Sequence, residues 1–371
     1  MIFSNHPGVF MKFFLGTLAL LGAAQTLSAA ELPAREPLSS YELKSPSEDT
    51  LQKVSRYFEI EGREGSAYRV LVPQAQSGLL HLLAPRAELK ELDTAATLRR
   101  RLATFQENAS LVAPGGYHDF TAVQGWLNGK AEKYPGLVTI VEYGLSAGKR
   151  PLRALRINSD DRRAKPALLI TAATHGDELI TTEVLMSLVD TLLEKNGQDP
   201  RFTRMIQDHD LYFIPVVNAD GFAERDRYDY GQDPNRSYPY PNDPARAPTT
   251  SIKAIISFFE EKKFAGSIDF HAYGEMVMFP WAYTYDPIAA DAEAKLDGIT
   301  SSMAEKNRYD HGPISKVIYV APGSSCDYYF WKTGSLSVAI EMGRSKVPSP
   351  YQFPAYVESQ AESTWRFIES F

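Results

Sequence analysis

His175 and Glu178, in the run His175-Gly176-Asp177-Glu178, stand directly after the apolar stretch Ala167-Leu168-Leu169-Ile170-Thr171-Ala172-Ala173. A strand that ends in His-x-x-Glu sets an imidazole and a carboxylate on one turn at the edge of a sheet. Those are two of the three protein ligands of a His₂Glu catalytic zinc, a site that keeps a position open for water. By itself the pair is a weak signal, because a histidine at a strand end more often caps or faces solvent. His271 can supply the third ligand: it closes the run Gly266-Ser267-Ile268-Asp269-Phe270, and its second ring nitrogen calls for an outer partner. Asn218 and Glu341 also stand just after apolar runs. In open α/β sheets ligands bind outside the carboxyl ends of the strands. Polar groups at four such ends converge on a site and are hard to explain as core packing. His81 falls in a small N-terminal unit, and His118, His209 and His311 sit in polar settings that read as surface.

The elements that must position these residues follow from periodicity. Residues 137–141, 152–157, 167–173, 211–217, 266–270 and 337–340 read as strands, most of them rich in apolar residues, with helical patterns at 121–133, 181–195, 251–262, 289–306 and 354–371. Near-continuous apolar strands alternating with helices predict an α/β fold: a mixed, mostly parallel central sheet with helices on both faces. Ahead of it, residues 50–113 read as a small α+β domain. It has alternating strands at 56–62 and 67–72, a short apolar run at 79–83, and helical spacing from 87 to 106. Pro114-Gly115-Gly116 breaks the chain, and the catalytic domain is expected over 114–371. Residues 31–49, rich in Pro, Ser and Glu, read as a linker.

The 371 residues are 44% hydrophobic, as in a globular protein with a substantial core, and the net charge of −7 leaves no basic footprint for nucleic acid. Lys12, the apolar run from Phe13 to Ala24 and the small residues before Glu31 form an export signal over residues 1–30, with the start at Met1 or Met11. The apolar run is too short to span a bilayer, so no membrane span is expected after signal cleavage. Export implies a bacterial periplasm or the extracellular space. The single cysteine, Cys326, forms no disulfide within the chain.

From Tyr117 to Phe371 the sequence resembles the zinc metallocarboxypeptidases of the carboxypeptidase A/B (funnelin) family. The resemblance is carried by Tyr117-His118-Asp119-Phe120, by Gly144-Leu145-Ser146-Ala147-Gly148-Lys149-Arg150-Pro151, and by His175-x-x-Glu178. It continues through Asn218-Ala219-Asp220-Gly221, Asp233-Pro234-Asn235-Arg236, Phe270-His271-Ala272-Tyr273, Tyr319 and Glu341. It implies one Zn²⁺ on His175, Glu178 and His271, with Glu341 as general base and then proton donor to the leaving amine. It further implies an arginine for the oxyanion, Arg227 or alternatively Arg225. Asn235 and Arg236 would hold a substrate's terminal carboxylate, and Tyr319 would close over it. The resemblance places Cys326 at the floor of the family's specificity pocket, where an apolar residue suits apolar side chains and an acidic one suits Lys or Arg. It is small and nearly neutral and decides neither. The loop between Asn218 and Asn235 is shorter than in digestive members.

The expected activity is hydrolysis of the C-terminal peptide bond of a peptide or muropeptide with a free carboxylate. A zinc amidase or deacylase on the same scaffold is the alternative, and a non-catalytic peptide-binding domain is a third. Residues 31–112 occupy the place of an inhibitory pro-segment, or of a retained domain that positions substrate.

Overall fold

The computed structural model describes residues 36–107, 116–159 and 164–371. The export signal (1–30), the start of the linker reading (31–35) and Pro114-Gly115 of the chain break lie outside the described residues. The first elements are β1 (Leu38–Lys44), α1 (Glu48–Ser55), β2 (Glu59–Glu64), β3 (Ala67–Pro73), α2 (Ser77–Leu83), β4 (Glu88–Glu91) and α3 (Thr94–Glu107). Four of them form an antiparallel sheet in the order β2-β3-β1-β4. The linker reading of 31–49 is corrected over the described residues 36–49, because β1 is an inner strand of that sheet and α1 begins at Glu48. Ser and Pro dominate its composition, yet Tyr41 and Leu43 alternate into the core and the Ser39 hydroxyl donates to Leu92 O at 2.8 Å. The run at 79–83 is helical: Leu80 is buried while Leu82 is 81% exposed, a three-to-four residue period. The helical spacing from 87 begins only at Thr94, after β4.

The larger part runs α4 (Phe120–Lys133), β5 (Val138–Leu145), β6 (Pro151–Ile157), β7 (Ala167–Thr171), α5 (Leu179–Lys195), α6 (Pro200–Asp208), β8 (Asp210–Ile214), α7 (Ala219–Glu224) and α8 (Thr250–Lys262). It continues with β9 (Gly266–His271), β10 (Met276–Phe279), α9 (Ala290–Ala304), β11 (Asp310–Pro313), α10 (Ile314–Val317), α11 (Ser325–Thr333), β12 (Leu336–Glu341) and α12 (Phe353–Glu369). Eight strands make one sheet in the order β11-β10-β12-β9-β7-β8-β6-β5. The inner four, β12, β9, β7 and β8, are mutually parallel, and β5, β6 and β10 pair antiparallel.

Both faces are covered, which is why the central strands read as continuous apolar runs. Leu168 and Ile170 of β7, with Leu211 and Phe213 of β8, enter one cluster; the alternate residues Leu169, Tyr212 and Ile214 enter another with Phe259 of α8. Burying each such side chain contributes about 1.5–3 kcal/mol. The strand expected over 211–217 stops at Ile214, since Pro215 has no N–H for the ladder. The edge strand β11 and its neighbour β10, four residues each, carry no alternating pattern and escape sequence reading.

The small sheet packs directly on the large one. Phe58, Ile60 and Val70 share an apolar cluster with Met276, Met278, Ile318 and Cys326. Gly62 of β2 permits the approach, because a Cβ there would lie 2.7 Å from the Tyr273 carbonyl oxygen. Among the described residues, no helix is long and apolar enough to cross a membrane.

Candidate active site

β7 and β9 are parallel neighbours, so the residues that leave their carboxyl ends meet. His175 follows β7, Glu178 is the residue before α5, and His271 ends β9. Gly176 allows this turn: a Cβ there would lie 2.1 Å from the backbone of Gly221. His175 Nδ1 is 2.7 Å from Glu178 Oε1, His271 Nδ1 is 3.1 Å from Glu178 Oε2, and the two Nδ1 atoms are 3.2 Å apart. All three side chains are buried, and their ligand atoms lie within 4.8 Å of one another, a group able to hold a metal ion.

Each imidazole turns its Nε2 toward a carboxylate, His175 to Asp233 Oδ1 at 3.0 Å and His271 to Asp269 Oδ2 at 3.1 Å. Nε2–H donation leaves each Nδ1 lone pair free to face the metal, which fits a His₂Glu donor set. Burial opposes charge on Glu178, but His175 and His271 hold its pKa well below the ordinary value.

Glu341 stands beside His271, its register partner across the parallel β9–β12 ladder. Its Oε2 is enclosed and accepts no hydrogen bond, and burial pushes its pKa up to about 8, with Glu178 adding repulsion against the pull of His271. A carboxyl group poised near neutral pH beside a metal group is suited to carry a proton in both directions. Arg227 is buried as well, with Nε and Nη2 donating to Asp233 Oδ2 at 3.0 and 2.7 Å and Nη1 3.7 Å from Glu178 Oε1. Burial opposes its charge, and Asp233 more than restores it. Arg225, the alternative, points elsewhere and donates to His118 O at 3.0 Å.

Asn235 and Arg236 follow in a short 3₁₀ turn started by Asp233, which accepts the Asn235 N–H at 2.8 Å. Asn235 Oδ1 accepts the Ser325 N–H at 2.9 Å, and Arg236 Nη2 donates to the Tyr319 hydroxyl. A cavity of about 50 Å³ is lined jointly by His175, Arg227, Asn235, Arg236, His271, Tyr319, Cys326 and Glu341. The structure therefore gathers the sequence-derived candidates around one space, with Glu178 bonded behind it.

Met278, Ala282, Ile314, Ile318, Ala321 and Ala339 add an apolar side to the wall, and Ile60, Glu61, Ser324 and Ser325 also line it. Asp327 does not line it. Its carboxylate accepts the N–H groups of Ala282 and Tyr283 at 2.8 and 2.9 Å, and burial pushes its pKa up to about 7.

Sequence reading left several participants without a role. Asp233 opens the Asp-Pro-Asn-Arg motif, and Asp269 precedes His271 by two residues, the strand period that puts both on one face. Lys346 is half-buried, with Nζ 2.7 Å from Asp177 Oδ2 and 2.5 Å from Glu61 Oε1 of β2. That strand crosses the site. Glu59 Oε2 is 3.8 Å from Arg236 Nη2, and the Ile60 carbonyl accepts the Tyr319 hydroxyl at 3.1 Å. No local sequence signal pairs residues so distant in the chain. His209, read as surface, is buried, with Nδ1 2.9 Å from Met205 O.

Several known proteins are similar to this chain. The profile of the zinc carboxypeptidases matches residues 123–363. Carboxypeptidase B2 of Bos taurus is 25% identical over 252 residues, covering 58% of this chain and 60% of that protein. Carboxypeptidase A2 of Mus musculus is 26% identical over 294 residues, 68% of each. The chain thus spans about 60% of the length of Carboxypeptidase B2 and of Carboxypeptidase A4 from Mus musculus. In fold, the chain is similar to carboxypeptidase A from Helicoverpa armigera, at a TM-score of 0.74 with 18% identity, over 90% of this chain and 97% of that one. Thrombin-activatable fibrinolysis inhibitor gives 0.68 with 19% identity, over 90% and 98%. With the profile running from α4 to α12 across more than half of its length, the chain belongs to the zinc carboxypeptidase family.

Proposed function

We propose that this protein is an exported zinc carboxypeptidase that removes a single apolar residue from the C-terminus of a peptide. The observation that carries the reading is the shared cavity, in which the His175–Glu178–His271 group, Glu341 and the Asn235–Arg236 pair open onto one apolar-walled space. His175, Glu178 and His271 would hold the metal. Zinc supplies Lewis-acid polarisation of the scissile carbonyl and of the attacking water. Arg236 and Asn235 bind the terminal carboxylate, Arg236 through a charge-assisted contact, and Tyr319 closes beside it. Glu341 takes the proton from the attacking water and returns it to the leaving nitrogen. Arg227, aligned by Asp233, faces the charge that develops on the carbonyl oxygen. Cys326 and its apolar neighbours receive the terminal side chain, and Asp327, engaged by two backbone N–H groups, does not act as an acidic floor.

Residues 36–107 act, in this reading, as a cover, with Glu59 beside the carboxylate-binding Arg236, Ile60 on Tyr319 and Glu61 on Lys346. With β2 docked, the cavity beside Arg236 and Tyr319 is small, about 50 Å³. Export is supported by the pattern of residues 12–30.

The test is to load the protein with zinc, incubate it with mixed peptides and muropeptides before and after limited proteolysis, and read products by mass. Loss of single apolar C-terminal residues is expected. Internal or acyl cleavage would point to an amidase or deacylase instead, and zinc binding without turnover would point to a binding protein.

A further inference from the structure

Asp269 is 3% exposed, and four side chains surround its carboxylate. Thr171 Oγ1 and Thr174 Oγ1 donate to Oδ1 at 2.8 and 2.9 Å, while Ser325 Oγ and His271 Nε2 donate to Oδ2 at 2.7 and 3.1 Å. Four donors match the lone-pair sites of an ionised carboxylate. Of the four, His271 alone can carry charge. Asp233, which holds the other imidazole, divides its charge with the Arg227 guanidinium. The two histidines therefore sit on unequal supports, and the undivided carboxylate belongs to His271.

A second link reaches Asn235. Ser325 sends its hydroxyl to Asp269 and its N–H to Asn235 Oδ1. β9 and the first turn of α11 thus share one buried anion, and the metal-binding imidazole and the carboxylate-binding amide are both tied to it.

We propose that Asp269 is a positioning residue that sets two groups at once: it fixes the His271 imidazole with Nδ1 toward His175 and Glu178, and it holds the Asn235 amide in place through Ser325. Asp269 touches neither substrate nor metal and acts only through these neighbours. The inference rests on the metal reading of His175, Glu178 and His271. Removing an outer carboxylate partner of a metal-bound histidine lowers metal affinity about 10- to 100-fold.

The experiment uses the full chain, stripped of metal, as wild type, Asp269→Asn and Ser325→Ala. Zinc affinity is measured by competition with a chromogenic chelator, and thermal stability of each metal-free protein is recorded alongside. Asp269→Asn is expected to bind zinc about 10- to 100-fold more weakly. Ser325→Ala, which leaves the Asp269–His271 bond intact, is expected to stay within about threefold of wild type in zinc affinity. With zinc in excess it should raise KM for a peptide with a free terminus more than it lowers kcat. Equal loss of zinc affinity in the two variants would mean general loosening between β9 and α11 and would overturn the proposal, as would unchanged affinity in Asp269→Asn.

Should Asp269→Asn not fold, ¹⁵N-histidine NMR of the zinc-loaded wild type decides. His271 is expected to be metal-bound at Nδ1 and protonated at Nε2, and the reverse tautomer refutes the proposal. Wild type that binds zinc but cleaves no peptide removes the peptidase reading and leaves this one standing. Wild type that takes up no zinc removes both.

Discussion

Glu341→Gln separates the base role from the metal role more cleanly than any other single change. The substitution keeps the shape of the side chain and removes its ability to carry a proton. Loss of a general base costs about 10²- to 10⁴-fold in rate, or about 2.7–5.4 kcal/mol of barrier. Glu341 makes no direct bond to the ligand group, so zinc content should not change. The same residue makes an opposite prediction for stability. Burial has raised its pKa from 4.5 to about 8. A raised native pKa contributes stability that is fully present below the unfolded value and lost as pH rises through the native one. The gap corresponds to at most about 5 kcal/mol at about 1.4 kcal/mol per pH unit, and partial solvent exposure reduces it. Gln does not titrate. The metal-free variant should therefore match wild type near pH 4.5 and become the more stable protein toward pH 9. The assays are kcat with zinc saturated, metal content by atomic absorption, and thermal melts of both metal-free proteins across that range. A variant that cleaves within threefold of wild type, or that is the less stable protein at pH 9, refutes the reasoning.

The other residues make narrower predictions. Arg236→Lys keeps the charge but loses the planar fork, and should raise KM for free-terminus peptides about 10- to 100-fold, the equivalent of about 1.5–3 kcal/mol; an unchanged KM would take Arg236 out of carboxylate binding. Glu61→Gln removes one of two carboxylates on Lys346 and should weaken docking of the small sheet by about 1.5–3 kcal/mol. The full chain should then turn over peptide faster without proteolysis, and a rate equal to wild type would deny the small sheet its covering role. Cys326→Asp places an unpaired carboxylate in an apolar wall, which costs an apolar side chain about 1–3 kcal/mol and favours Lys or Arg. The kcat/KM ratio between Leu- and Arg-ended peptides should fall at least about tenfold, and a fixed ratio would mean that the terminal side chain binds elsewhere.

Legibility followed the source of each signal. Strands β7, β8 and β12 announce themselves because both faces are buried and most of their residues are apolar, and β9 follows them with Ile268 and Phe270 despite Ser267 and Asp269. β1 was lost in a Ser- and Pro-rich stretch, since its burial comes from a partner sheet that the local composition does not reveal. β10 and β11 are four residues each, too short for a pattern. Arg225 and Arg227 are equivalent on paper. The left-handed backbone at Arg225, φ 57°, ends α7 and separates the two, sending Arg227 to Asp233 and Arg225 to His118.

Sequence alone named the candidate groups: two imidazoles and two carboxylates at or just after strand ends, and an amide and a guanidinium in the short motif Asp233-Pro234-Asn235-Arg236. Those signals are local, because a strand end and a short motif are written in consecutive residues. Tertiary structure decided what surrounds them. The partners of the two imidazoles, the apolar walls beside Cys326, the diversion of Asp327 and the passage of β2 across Arg236 and Lys346 all join residues far apart in the chain. Such contacts depend on how sheets stack and where loops return, and that is fixed only when the whole chain packs.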